Sequence, residues 1–63
     1  MGYRIYIAEG RTRFYLYDWI VCDDTENPQF TTKHDYAMTF ISFAQAVEYR
    51  RRMVEMGYAP HIE

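Results

Sequence analysis

The side chains able to do covalent or metal chemistry in this sequence are few: Cys22, Asp23, Asp24, His34, Asp35 and His61. A nucleophile needs a base beside it and a third group to orient that base, and none of these residues has the spacing of such a set. His34 and Asp35 are neighbours in sequence rather than a base and its orienter. A lone cysteine near a strand end is more often a small apolar residue than a thiolate. Asp23, Asp24 and Glu26 lack the glycine and the bidentate glutamate of a calcium loop, and no glycine-rich phosphate loop occurs. The chain therefore reads as non-enzymatic, with no catalytic residue, metal ligand or cofactor site.

Binding chemistry is better represented. Aromatic residues make up 19 % of the chain, as seven Tyr, four Phe and one Trp. Arg50, Arg51 and Arg52, with Arg11, Arg13 and Lys33, could form a basic edge, and aromatics on a sheet can stack bases. Against this, seven basic and nine acidic residues leave a net charge of −2, the wrong sign for a non-specific grip on phosphate. Arg51 and Arg52 also have helix partners, since Glu48 with Arg52 and Arg51 with Glu55 are spaced i,i+4. A nucleic-acid partner is the weaker expectation.

These residues must be positioned by a single domain spanning 1–63, because a chain of 63 residues buries only about 60 % of its surface on folding. Cys22 is the only cysteine, so no intrachain disulfide is available, and a reducing cytoplasm is the expected setting. There is no export signal at the start and no run near 18 apolar residues, so no membrane association is expected.

Alternation predicts a first strand over Tyr3–Glu9 and a second over Phe14–Cys22, joined by a loop at Glu9–Arg13. Residues 23–29 read as a solvated acidic loop, because Asn27 precedes Pro28 and the carboxylates prefer water. A third strand is expected within Tyr36–Ile41. Ser42-Phe43-Ala44-Gln45 fits a capping box opening a helix over Phe43–Met56, and Gly57 stands at its left-handed stop. The apolar stripe of that helix is Phe43, Ala46, Val47, Met53 and Val54, widened by Tyr49 and Met56. Residues 58–63 supply a short last strand, expected beside the first and parallel to it. The order β-β-β-α-β predicts a two-layer α+β fold, one helix on a small three- to four-stranded, mainly antiparallel sheet.

One helix covers one face of such a sheet. If Ile5, Ile7, Phe14, Leu16, Ile20, Met38 and Phe40 meet the helix, then Tyr6, Tyr15, Tyr17 and Trp19 form an aromatic surface on the other face, with Arg11 and Arg13 at its rim. A patch of that size marks an interaction site. Arg50 falls inside the apolar arc of the helix, and its expected partner is Asp18; the alternative is a side chain that snorkels to water.

The hairpin, the Thr31-Thr32-Lys33 stretch leading to Ala37 and Phe40, the Ser42-opened helix with Ala46 and the short final strand together resemble the small accessory proteins of bacteriophages and prophages. The resemblance covers residues 3–62. It implies a host-directed inhibitor that binds a host protein, such as a component of a CRISPR defence complex. Two other expectations compete: a small nucleic-acid-binding module using the same rings, and a structural homodimer.

Overall fold

The computed structural model describes residues 2–63. Two tight turns set the register of its sheet. Glu9 pairs with Thr12 across Gly10 and Arg11, and Gly10 has φ 61°, the type II′ pattern whose twist suits a hairpin. This joins β1 (Ile5–Glu9) to β2 (Thr12–Cys22). Cys22 pairs with Thr25 across Asp23 and Asp24, which are left-handed at φ 50° and 63°. Two aspartates thus make a type I′ turn, a region their short polar side chains tolerate.

That turn leads into β3 (Thr25–Thr31), whereas the sequence predicts a solvated loop through Gln29 and leaves the pairing of Phe30-Thr31-Thr32 open. The expected strand within 36–41 is instead a 3₁₀ turn at His34–Tyr36 followed by an isolated bridge from Phe40 to Tyr3. Pro28 is compatible with β3 for a positional reason. Counting from the hydrogen-bonded pair beside the turn, Pro28 opposite Trp19 falls on a non-hydrogen-bonded pair, so its nitrogen faces outward and no ladder bond is lost. The sheet order β3-β2-β1-β4 places that nitrogen on an outer edge.

The last strand, β4 (His61–Ile62), lies beside β1 as expected but runs antiparallel to it, with Ile5 opposite Ile62. The direction is reversed because residues 32–42 first return the chain to the end where β1 begins. There Phe40 and Tyr3 exchange backbone hydrogen bonds, each 2.8 Å. The helix α1 (Phe43–Glu55) starts from that end, and the chain must come back toward it. The result is the expected two-layer α+β fold, with one helix on a four-stranded sheet that is antiparallel throughout.

The boundaries of α1 follow its caps. Ser42 Oγ accepts from the Gln45 N–H at 3.4 Å. At the other end the Gly57 N–H donates to Val54 O and the Tyr58 N–H to Met53 O, both 3.0 Å, with Gly57 at φ 100°; this is a Schellman stop. Arg51 bridges Glu48 and Glu55 at 2.6 and 2.7 Å, and Arg52 reaches Glu48 at 3.6 Å.

The core is narrower than the predicted stripe. Ala46 and Met53 are buried on α1, Tyr49 packs between them, and Phe43, Val54 and Met56 are exposed. On the sheet, Ile5 and Leu16 are fully buried, each worth about 1.5–3 kcal/mol when removed from water. Phe30, the partner of Leu16, and Ile62, the partner of Ile5, extend this row to both outer strands.

Candidate docking surface on the open face

The expected surface assumes that β2 alternates without interruption. It does not, because the pairing with β3 shifts register between Leu16 and Asp18, a bulge that reverses the facing of every later residue. Trp19 consequently points to the helix side, where its ring meets Tyr49 edge-on at 5.1 Å and its Nε1–H donates to Glu26 at 3.0 Å. Ile20, expected in the core, is 45 % exposed. Asp18 turns away from the helix, its carboxylate accepting from the Trp19 N–H at 2.8 Å. The Asp18–Arg50 pair is therefore not formed. The signal that reverses the strand is tertiary: the Met38 N–H takes the Leu16 carbonyl at 2.8 Å.

Tyr6, Tyr15 and Arg13 do come together. Thr31, Tyr15, Tyr6 and His61 stand side by side across all four strands, on the face opposite Ile5 and Leu16. Tyr6 lies 5.6 Å from Tyr15 and stacks on His61 at 5.2 Å. The Arg13 guanidinium sits over Tyr6 at 4.3 Å, placed there because the turn is shorter than expected and Arg13 belongs to β2. Arg11 is left exposed in that turn.

Glu63 ties the row together. One carboxylate oxygen takes the Tyr15 hydroxyl at 3.1 Å and Arg13 at 2.9 Å. The other lies 2.8 Å from His34 Nε2. The His34 hydrogen bond, with those of Tyr15 and the charge of Arg13, holds the Glu63 carboxyl below the usual range despite some desolvation. His34 also sets its ring edge-on against Tyr15 at 5.0 Å. Tyr15 is therefore only 6 % exposed, sheltered by its own chain rather than open to a partner as the sequence predicts. No pattern in the sequence connects His34 with Glu63, which are brought together by the path of residues 32–42.

What this face does expose lies beside the turn. Tyr17 is 44 % and Tyr36 65 % exposed, and they flank an open groove of about 470 Å³ also lined by Phe30, Thr31 and Lys33. The Lys33 ammonium stands 5.5 Å over the Tyr36 ring. Tyr17 is among the site residues the sequence predicts; Lys33 and Tyr36 are additions, since Tyr36 falls where the sequence suggests a strand. Among the described residues no group of three or more metal-ligating side chains comes together, and no helix is long and apolar enough to cross a membrane.

Comparison with protein-family models found no match, and searches of curated proteins and of solved structures found none either.

Proposed function

We propose that this chain is a non-enzymatic binding protein that engages another protein through the open face of its sheet. The phage-type resemblance implies that the partner is a host protein and the outcome its inhibition. The observation that carries the reading is the pair Tyr17 and Tyr36, two large rings left exposed on the rim of one groove beside a row of aromatic side chains in ring-to-ring contact. Tyrosine combines a rigid apolar body with a polar tip, so little conformational entropy is lost when it anchors a partner. Lys33 and Arg13 add positive charge at the two sides of the face. Trp19 is excluded from this surface, and Arg11 lies at its far corner.

The test is capture of a host protein by the wild type and by a Tyr17→Ala/Tyr36→Ala double variant, with Val54→Ala on the helix as the control. The proposal expects the same captured protein with wild type and control and its loss with the double variant. Equal capture by all three removes the open face as the site. Steep loss of binding with added salt would instead favour nucleic acid, and concentration-dependent sedimentation of the pure protein a homodimer.

A further inference from the structure

Tyr15 is buried by a segment with few ties of its own. The 3₁₀ turn at His34–Tyr36 has no buried residue and no side-chain cap. Its backbone bonds are local: Tyr36 N–H to Lys33 O at 3.0 Å, Ala37 N–H to His34 O at 3.1 Å, and Lys33 N–H to the Thr31 hydroxyl at 3.1 Å. Past β3, the first backbone bond from this segment to the sheet is that of Met38 to Leu16. Between Thr31 and Met38 the turn is held on the open face by His34, through Glu63 and the Tyr15 ring. Both side chains of that contact are partly solvated, where even a charged pair contributes little.

We propose that residues 32–37 are a strap clasped over the open face by His34 and Glu63, which opens locally and uncovers the Tyr15 ring while the helix-side core stays folded. Opening needs only the clasp and one ring contact to break, whereas Ile5, Leu16 and Met53 are fully buried on the other side, so the two regions belong at opposite ends of the local stability scale. Opening would carry Lys33 and Tyr36 away from the groove rim and add the Tyr15 ring to the row Tyr6–His61, so the strap exchanges one form of the aromatic surface for another. The strap thereby regulates the surface proposed above and rests on that reading for its consequence, although the opening itself is measured without any partner.

The charged and titratable groups facing the clasp are Arg13 and Tyr15 from β2 and Glu63 beyond β4, with Lys33 and Asp35 flanking His34 on the strap. Glu63 meets His34 as a carboxylate, and the hydrogen bonds of His34 and Tyr15 with the charge of Arg13 keep it in that form to lower pH than an ordinary carboxyl.

Photochemically induced nuclear polarisation, which reports ring accessibility of tyrosine, tests the opening near neutral pH. The Tyr15 signal should be weak in the wild type and several-fold stronger in His34→Ala and in Glu63→Gln, with the Ile5 and Leu16 methyl shifts unchanged. A Tyr15 ring that stays dark in both variants overturns the proposal, as does one that brightens only when those methyl shifts collapse. Hydrogen exchange of the wild type provides an arm free of any folding defect. The Tyr36 and Ala37 amides should exchange much faster than the Phe40 amide, because a unit that opens locally does so at a smaller free energy than the core. Equal protection would mean that strap and core open together, and the strap would not exist as a separate unit.

Discussion

The two faces of the sheet are covered by different means. On one, Phe30, Leu16, Ile5 and Ile62 lie under a capped helix whose Ala46 and Met53 are buried. On the other, Thr31, Tyr15, Tyr6 and His61 occupy the same four strands, yet only Tyr15 is buried, under one carboxylate and the histidine of a 3₁₀ turn. A regular element hides apolar area without needing specific partners. An irregular segment must be pinned by named polar groups, so its hold is local and depends on their charge.

Breaking the helix side should have the largest effect. Leu16→Ala removes a fully buried side chain and is expected to cost about 2–5 kcal/mol, comparable with the roughly 3–5 kcal/mol that a core of this size supplies. Circular dichroism and urea titration should find this variant largely unfolded. A cooperative transition close to the wild type would mean that the row across β1 and β2 is not the centre of the core.

Trp19→Ala tests the bulge. If Trp19 packs on Tyr49, its removal should lower stability by about 2 kcal/mol while leaving partner capture intact. A ring lost from the open face would have the reverse signature.

Gly57→Ala puts a side chain at φ 100° and should cost about 1 kcal/mol through the helix stop, read from the urea midpoint. Asp24→Gly should move that midpoint the other way, by up to about 1 kcal/mol, because glycine takes the left-handed position of a type I′ turn without strain.

The smallest effects belong to the open face. Tyr15→Phe removes the hydroxyl that Glu63 accepts and should cost about 1 kcal/mol. For Glu63 the folded state holds the carboxyl below its ordinary range. Its contribution is therefore present above the unfolded carboxylate range and lost as pH falls through the lowered value. Wild type and Glu63→Gln should differ in stability near neutrality and converge in acid. A gap that is constant with pH would show that the clasp is not electrostatic.

The helix was legible almost to the residue, because Ser42 and Gly57 act on backbone groups within a turn of themselves. The sense of the first hairpin and the burial of Ile5, Leu16 and Phe40 were legible too, since alternation over a few residues is a local property. β3 was not, because Asn27-Pro28 reads as a breaker unless the strand is known to lie at an edge with Pro28 facing outward. One of the four rings of the expected aromatic surface was misassigned for a related reason. A bulge leaves no mark in the pattern of β2, yet it exchanges Trp19 for Asp18 and Ile20 on the open face.

By itself, then, the sequence determined a two-layer α+β domain with one capped helix and more aromatic rings than that helix could cover. Those features follow from interactions spanning a few residues. Which rings stay uncovered is settled by long-range packing, because that depends on where residues 32–42 cross the sheet, on the Leu16 carbonyl that Met38 takes, and on His34 meeting Glu63 from 29 residues away in the chain. Contacts at that separation are selected by the packing of the whole molecule, and no local pattern encodes them.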